Sequence, residues 1–309
     1  MDKWLDVLSN EERTAFALRS LYAQYGYEKY RMSKFEEYDL YVRNKDFLVS
    51  DSVITFTDTD GKLLALKPDV TLSIIKNART QAGQVMKVYY HENVYRVSKG
   101  TRSFKELMQA GLECMGDVDG EVLAEVLYLA AQSLETVSEN NVLELSELSI
   151  VQGVLNAFGV SENGKREIVR CLSEKNAAGV CAAAEQEGLS QEQRETVCKL
   201  VSVYGPAEKV YPQLELFRVD EPTGRAIEDF QTLLSALKAR GVSEKLTVDF
   251  SVLGDMKYYN GVAFKGFVEG IPTGILSGGQ YDKLMKQMGK KGKAVGFAVY
   301  LDELAKRKN

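Results

Sequence analysis

The sequence has 309 residues, of which 45% are hydrophobic and 27% are charged. This composition is typical of a globular protein with one large domain or two moderate ones. The 39 basic and 44 acidic side chains give a net charge of −5, and the pI is 5.3. Proteins that hold nucleic acid through its phosphates usually carry a basic surplus. The charge therefore argues against nucleic acid as the default partner.

Neither the N-terminal stretch MDKWLDVLSNEERTAF nor any later segment has the apolar length of a signal peptide or a membrane span. The cysteines show no CxxC pairing, and their neighbours are typical of small buried apolar residues rather than of a disulfide framework or a metal site. They are Cys114, Cys171, Cys181 and Cys198. Together these features predict a cytoplasmic protein that uses no metal or other cofactor.

His91, in the segment VYYHENVYR, is the only histidine. A catalytic triad normally uses histidine as its base, and paired-histidine metal sites need two. We therefore expect neither kind of site, and we predict that His91 is an ordinary strand or turn residue.

The N-terminal part combines helix and hairpin signals. Ser9 with Glu12 three residues later forms a capping box, which predicts a helix that begins there. Asp60-Gly61 lies between two apolar runs and predicts a hairpin. Pro68-Asp69 then suits the first turn of a second helix, because proline and an acid are favoured at that position.

A pair of strands follows, from Val85 to Val97 and from Leu107 to Met115, joined by the basic loop Ser98 to Lys105. The second strand alternates, because strand side chains point to opposite faces in turn. On one face lie Met108, Ala110, Leu112 and Cys114; on the other lie Gln109, Gly111 and Glu113. An amide and a carboxylate around a bare glycine predict a floor for a small polar ligand. Taken alone, the pattern is more common on a solvent-facing strand.

The sequence pattern changes from mixed helix and strand signals to mostly helical ones after a helix predicted near residues 119–134. The segments KREIVRCL, AAGVCAAAEQEG, QEQRETVCKLV and GRAIEDFQTLLSALKARG are helix-like, and strand signals return in LTVDFSV, YYNGVAFKGFV and AVGFAVY. The sequence therefore predicts an α+β sheet domain, residues 1–144 and 244–309, split by a mostly helical insertion, residues 145–243.

Five segments, in chain order, resemble the catalytic domain of histidyl-tRNA synthetase, a class II synthetase. They are LALKPDVT, YR…LMQAGLECMG, YYNGVAF, SGGQYDKL and AVGFAVYLDEL. They extend from about residue 10 to the end of the sequence, and the insertion contributes least. The resemblance implies an antiparallel class II synthetase-like sheet flanked by helices.

The resemblance also implies a pocket for free histidine. It would contain an acid and a hydroxyl for the ammonium group, an arginine near the carboxylate, a polar strand face for the imidazole, and an aromatic wall. In that order these are Asp69 and Thr71, Arg96, Gln109 and Glu113, and Tyr259 and Tyr281. Glu113 would accept a proton from the imidazole, and Asp69 replaces the usual glutamate with a shorter reach. Charge-assisted bonds at both ends suit a zwitterion.

The positions that bind ATP in a synthetase depart from the family pattern. Three expected arginines fall on Gly254, Gln280 and Glu303, and an expected acid falls on Ser98. Losing one electrostatic donor costs about 2.7–4 kcal/mol of transition-state stabilisation. We therefore expect no amino-acid activation, with Lys257 as a partial substitute for the first arginine only.

The sequence ends six residues after Glu303, so we expect no anticodon-binding domain and no tRNA binding. This combination resembles the regulatory subunit of ATP phosphoribosyltransferase. The resemblance implies a non-catalytic subunit that binds L-histidine, activates the short catalytic subunit in the first step of histidine biosynthesis, and mediates feedback inhibition. It also implies a homodimer through the early helix and its neighbouring strand, within a hetero-oligomer. RMSKFEEYD lacks the proline that is usual in class II dimer motifs.

Two other functions stay open. The chain could be a truncated class II synthetase paralogue that activates an amino acid, or a scaffold whose pocket is vestigial. Two segments have simpler interpretations. KGTRSFK is more typical of a solvated turn than of a docking or anion-binding loop. LFRVDEPTGRA is more typical of a turn and helix start than of a phosphoribosyl pyrophosphate loop.

Overall fold

The computed structural model describes residues 7–48, 53–80, 83–98, 100–254 and 258–304. Within these ranges the strands are β1 (Glu28–Lys29), β2 (Phe35–Glu37), β3 (Thr55–Thr57), β4 (Leu63–Leu66), β5 (Val85–Val97), β6 (Phe104–Gly116), β7 (Asn141–Glu147), β8 (Tyr204–Gly205), β9 (Leu246–Asp249), β10 (Val262–Val268), β11 (Leu276–Gln280) and β12 (Lys293–Tyr300). The helices are α1 (Asn10–Gln24), α2 (Tyr38–Arg43), α3 (Thr71–Asn77), α4 (Gly120–Val137), α5 (Leu148–Ala157), α6 (Glu162–Ser173), α7 (Ala177–Gln186), α8 (Gln191–Lys199), α9 (Ala207–Leu214), α10 (Glu221–Ala239), α11 (Asp282–Gln287) and α12 (Leu301–Leu304).

Nine strands form one central sheet in the order β1-β5-β6-β12-β11-β10-β7-β9-β8. Only the β1–β5 and β7–β9 pairs of this described sheet are parallel, and the other neighbours are antiparallel. A largely antiparallel sheet flanked by helices confirms the predicted α+β class.

The β5–β6 hairpin is the longest pairing in the sheet, with 13 residues in each strand. It runs in register from Val85 opposite Gly116 to Val97 opposite Phe104. The strands lie where the sequence predicts them, but β6 begins at Phe104, so the basic loop is shorter than expected. Lys99 of that loop lies outside the described residues.

The capping-box and hairpin predictions are confirmed, but Pro68 and Asp69 precede α3, which begins at Thr71, so they do not form its first turn as predicted. The Ser9 hydroxyl accepts a hydrogen bond from the Glu12 backbone N–H, and the Glu12 carboxylate accepts one from the Ser9 backbone N–H. The Asp60-Gly61 hairpin joins β3 and β4, with Gly61 at a φ of +81°, and β2 completes a separate three-stranded sheet. A positive φ favours glycine, which has no Cβ to clash.

The two faces of the central sheet differ in chemistry. Helices α1 and α4 pack over one face, where Ala110, Leu112 and Cys114 of β6 belong to the larger hydrophobic cluster. A smaller cluster around α3 and α11 lies on the other side, next to the polar face of β6. The alternation predicted for β6 is therefore confirmed. Among the described helices, none combines the length and apolar character that crossing a membrane requires.

Residues 145–243 contain six helices, α5 to α10, together with the end of β7 and the short strand β8. Helix α10 packs against α4 and α5, and β8 pairs with β9 at the edge of the central sheet. Asp220 caps α10 by accepting a hydrogen bond from the Thr223 backbone N–H, which confirms the predicted helix start. The boundaries at 145 and 243 stay a prediction.

The prediction for the cysteines is partly wrong. Cys114 and Cys171 are buried free thiols, as expected. Cys181 of α7 and Cys198 of α8 instead form a disulfide. The turn between α7 and α8 brings two residues 17 positions apart into contact, and that proximity is invisible in a sequence without a CxxC pair.

His91 lies within β5, opposite Ala110 of β6. Its Nε2 atom has no hydrogen-bond partner among the described residues. Burial lowers its pKa, with the nearby Arg19 as a further cause. The prediction of an ordinary strand residue is confirmed.

Candidate functional site

A cavity of about 790 Å³ opens on the polar face of the sheet. Its volume falls in the range of small-molecule sites, which is about 300–1,000 Å³. All the side chains predicted for the pocket line it: Asp69, Thr71, Arg96, Gln109, Glu113, Tyr259 and Tyr281. They come from separate parts of the chain, so their convergence is a consequence of the fold.

The floor of the cavity is the polar face of β6. Gln109 and Glu113 are buried, with 4% and 2% of their surfaces exposed, and both line the cavity. Gly111 between them has a different role from the one expected, because the space above it is already filled. A Cβ on Gly111 would overlap the Phe297 carbonyl oxygen and would lie 2.6 Å from the Tyr90 hydroxyl, which donates to that carbonyl at 3.5 Å. The bare glycine therefore admits Tyr90, which becomes part of the floor.

Glu113 is held by two hydroxyls. The Thr71 hydroxyl donates to its Oε1 atom at 2.7 Å, and the Tyr281 hydroxyl donates to its Oε2 atom. Burial is the main reason that the pKa of Glu113 is raised to about 8; the two hydroxyls oppose the shift, and the nearby Asp69 carboxylate adds to it. Glu113 is therefore mainly a neutral acid at neutral pH. Gly296 on β12 leaves the room that its carboxyl occupies.

Asp69 and Arg96 lie together at another part of the wall. Asp69 Oδ1 accepts from the Leu72 backbone N–H at 2.8 Å and so caps the start of α3. Desolvation raises the pKa of Asp69, whereas its bond to the Leu72 N–H and the charge of Arg96 lower it. Arg96 Nε donates to the Pro68 carbonyl at 3.1 Å, which fixes the guanidinium beside this acid. A carboxylate and a guanidinium side by side can bind the ammonium and carboxylate groups of an amino acid.

Thr71 departs from its predicted partner. The sequence grouped it with Asp69 as a site for an ammonium group, but its hydroxyl is bonded to Glu113. Thr71 is the first residue of α3, and its side chain reaches Glu113 of β6. Thr71 therefore lines the cavity as predicted, but its hydrogen-bond partner is Glu113 and not a ligand ammonium group.

The aromatic wall contains three tyrosines. Tyr259 and Tyr281 line the cavity as predicted, and Tyr258 contacts both, with ring centroids 4.8 and 5.7 Å away. The Tyr259 ring lies between two glycines, Gly254 and Gly279. A Cβ on either would lie 2.7 or 2.6 Å from the ring, and Gly254 also has a φ of +56°. Glycine at these positions therefore makes room for the wall.

The sequence interpretation missed several lining residues. Tyr90 and Tyr258 line the cavity too, but each has a tyrosine neighbour in the sequence, and the sequence does not indicate which of the two faces inward. At the far end of the cavity lie Glu144, Lys175, Lys265, Ser277 and Tyr300. The Ser277 and Tyr300 hydroxyls are hydrogen-bonded to each other at 2.5 Å. These residues lie on strands or turns that meet only in the folded chain, and no local motif marks them.

The insertion contributes one edge of this far end. Lys175, in the turn after α6, donates to the buried Asp249 at 2.7 Å and lies over the Tyr204 ring at 4.9 Å. Asp249 ends β9, and the chain from Ser251 to Gly254 continues along the cavity wall. The ion pair therefore ties the helical segment to the loop that leads to Tyr258 and Tyr259.

The residues at the altered ATP positions make other contacts. Gly254 leaves room for Tyr259, as described above. Gln280 accepts from the Val262 backbone N–H and lines a different cavity of about 730 Å³, while Glu303 accepts from the Thr273 hydroxyl at 2.9 Å. Lys257 lies outside the described residues. Among the described residues, no group of three or more His, Cys, Asp or Glu side chains could hold a metal ion.

Comparison with known proteins adds the family. The family model described as histidyl-tRNA synthetase matches residues 6–304. An ATP phosphoribosyltransferase regulatory subunit from Ruminiclostridium cellulolyticum is 28% identical over 292 residues, which cover 93% of this chain and 70% of that protein. A crystal structure of an ATP phosphoribosyltransferase regulatory subunit/histidyl-tRNA synthetase from Bacillus halodurans C matches with a TM-score of 0.85 at 24% identity, over 100% of this chain and 81% of that chain.

A third similar structure is an ATP phosphoribosyl transferase (HisG:HisZ) complex from Thermotoga maritima. It matches with a TM-score of 0.72 at 17% identity and covers 94% of this chain and 97% of that chain. These similarities confirm the predicted synthetase-like fold and the resemblance to ATP phosphoribosyltransferase regulatory subunits. Because the family model matches almost the whole sequence, the chain belongs to the histidyl-tRNA synthetase family.

Proposed function

We propose that this protein is a non-catalytic regulatory subunit of an ATP phosphoribosyltransferase, that it binds free L-histidine in the 790 Å³ cavity, and that it acts in histidine biosynthesis. The observation that carries the proposal is the convergence of the predicted histidine-binding side chains in that cavity. Relatives named as regulatory subunits of this enzyme support the choice of partner.

The chemistry of the cavity suits a small zwitterion. Asp69 and Arg96 offer one charge of each sign, and Glu113 with its two hydroxyls offers donors and acceptors for a polar side chain. Tyr258 and Tyr259 supply flat apolar surface for a ring. A pocket with an apolar wall and a few convergent polar groups is typical of small-molecule sites.

The altered ATP positions support the absence of catalysis. Synthetase chemistry needs cations where charge gathers on the α-phosphate and the leaving pyrophosphate. Gly254 and Gln280 carry no charge, and Glu303 carries the opposite one. We infer that an amino acid bound here acts as a signal and is not activated.

In this role the protein activates the short catalytic subunit, and bound histidine mediates feedback inhibition of the complex. Such coupling is an interaction free energy of typically about 1–3 kcal/mol between two sites. The complex described for Thermotoga maritima supports a hetero-oligomeric arrangement. We expect a homodimer of this chain within it, through α1 and the neighbouring strand.

Three experiments test the proposal. Purification of this chain from its native cell should recover a short ATP phosphoribosyltransferase subunit, and recovery of tRNA would contradict the assignment. Pyrophosphate exchange should show no dependence on added amino acid. Exchange above background would favour a truncated synthetase that still activates an amino acid. A complex whose activity does not respond to histidine would favour a scaffold with a vestigial pocket.

A further inference from the structure

Glu113 is placed so that its hydrogen bonds suit either of its charge states. Both of its partners in the described part of the chain, Thr71 and Tyr281, are hydroxyls. A hydroxyl can donate to a carboxylate or accept from a protonated carboxyl by turning about its C–O bond. The site can therefore keep its heavy atoms in place while the proton of Glu113 leaves.

The surroundings of Glu113 favour its neutral acid form over the carboxylate. Only 2% of Glu113 is exposed, and each group facing it is neutral when protonated or carries negative charge. These groups are Asp69 before α3, Tyr90 of β5, Tyr258 before β10 and Tyr281 after β11. Arg96, the cation among the predicted pocket residues, lies against Asp69 and the Pro68 carbonyl. An isolated buried carboxylate is strongly disfavoured without a cation.

An imidazole is complementary to this acid. A neutral imidazole has one nitrogen that accepts a proton and one that donates a hydrogen bond, and its ordinary pKa is about 6.5. The pKa of Glu113 is raised to about 8. Between these two pKa values the imidazole of the free ligand is neutral and Glu113 is protonated. The pair therefore carries one titrating proton, which is on Glu113 before binding.

We propose, resting on the proposed function, that bound histidine and Glu113 share this one proton, and that the basicity of the ring is what the site selects. On binding, the O–H bond of Glu113 breaks and an N–H bond forms on the ring. The product is an imidazolium facing a carboxylate, and no proton enters or leaves the solvent. The Thr71 and Tyr281 hydroxyls, which lie against Oε1 and Oε2, then both donate to the carboxylate.

Other amino acids fail this test in identifiable ways. A phenylalanine side chain cannot accept the proton, so Glu113 would stay protonated and would gain no hydrogen-bond partner from the ligand. A lysine arrives with its own proton, so Glu113 must lose its proton to solvent before the pair forms. A triazolylalanine has nearly the shape of histidine but a much weaker base, so it tests basicity at nearly constant shape.

Calorimetric titration of the full chain with L-histidine tests the inference. At about pH 7.3, between the two pKa values, the measured heat should be the same in two buffers of different ionisation enthalpy. Below that window up to one proton should be released, and above it up to one should be taken up. The affinity should fall about tenfold per pH unit on each side. Triazolylalanine should bind at least tenfold more weakly than histidine.

The variant Glu113→Gln separates this inference from a structural effect. It retains the shape and hydrogen-bonding capacity of the side chain but cannot give up a proton. It should bind histidine more weakly at neutral pH, lose the fall in affinity at alkaline pH, and discriminate less between histidine and triazolylalanine. Release of one proton at about pH 7.3, or unchanged discrimination in Glu113→Gln, would overturn the inference while leaving histidine binding intact. Absence of histidine binding at every pH would overturn the proposed function with it.

Discussion

Gly296 of β12 lies directly opposite Glu113 of β6, and a methyl group on Gly296 would overlap the Oε2 atom of that carboxyl. The position of the acid in the cavity therefore depends on the absence of a side chain on the neighbouring strand. Because the two strands are hydrogen-bonded in register, neither backbone can move away independently.

Gly296→Ala should weaken histidine binding, because the new methyl group displaces the Glu113 carboxyl from Thr71 and Tyr281. Overfilling a packed site typically costs about 1–3 kcal/mol of stability. Loss of one hydrogen bond to a charged group costs about 1.5–3 kcal/mol, which corresponds to at least a tenfold loss of affinity. Calorimetry with L-histidine measures the affinity, and chemical denaturation measures the stability.

Gly120→Ala is the matched control, because a Cβ at Gly120 meets no atom within 4 Å. It should leave both affinity and stability close to those of the unmodified protein. Equal histidine affinity in Gly296→Ala and Gly120→Ala would mean that the ligand does not contact Glu113.

Arg96→Gln should weaken histidine binding at least tenfold, because it removes the guanidinium expected to bind the ligand carboxylate. Arg102, in the exposed loop between β5 and β6, offers a control for the loss of one positive charge from the same hairpin. Arg102→Gln should leave the affinity unchanged. If both variants lost affinity equally, the effect would be a general electrostatic one, and Arg96 would have no specific role.

The stability of the empty protein should fall as pH rises from about 4.5 to 8, in part because of Glu113. Its pKa is raised from an ordinary value of 4.5 to about 8 in the folded state, so the folded chain binds a proton that the unfolded chain has lost. Glu113→Gln removes this contribution. Its stability relative to the unmodified protein should therefore rise with pH across the window, by up to about 1.4 kcal/mol per pH unit. Denaturation with urea at several pH values measures the difference.

Glu162→Gln is the control for that experiment. Glu162 is exposed on α6, and the side chain of Lys165 lowers its pKa. Its contribution to the pH dependence of stability is therefore small and opposite in sign to that of Glu113. A stability difference between Glu113→Gln and the unmodified protein that did not change with pH would contradict the neutral state of Glu113.

Lys175→Met should destabilise the protein, because it leaves the carboxylate of Asp249 buried without its cation. Removing one partner from a buried charged hydrogen bond costs about 1–3 kcal/mol. The double variant with Asp249→Asn should recover part of the loss, since the buried charge is then gone. Lys165→Met, which breaks an exposed pair with Glu162, should cost at most about 1 kcal/mol. Equal losses in the two single lysine variants would show that the Lys175–Asp249 pair has no special role.

Much of the fold could be predicted from local patterns. The capping box at Ser9, the Asp60-Gly61 turn and the period-two alternation of β6 each depend on neighbours in the sequence, so they survive without tertiary information. The disulfide between Cys181 and Cys198 could not be predicted, because it depends on how two helices pack.

The candidate site shows the same division. Its members on β6 follow from alternation, and the others were named from the resemblance to a family. The contact between Thr71 and Glu113 joins residues 42 positions apart, and the filling of the space above Gly111 by Tyr90 depends on the pairing of β5 with β6. The far end of the cavity, with Lys175 and Tyr300, could not be identified because it forms where the helical segment meets the sheet.

The most direct test of the account is a crystal structure of the protein grown with both L-histidine and ATP. We predict histidine in the cavity, with its imidazole within hydrogen-bonding distance of Glu113, its carboxylate facing Arg96 and its ammonium group facing Asp69, and no bound nucleotide. Histidine found only at a subunit interface with the cavity empty, or ATP held in the cavity by basic side chains, would contradict the account.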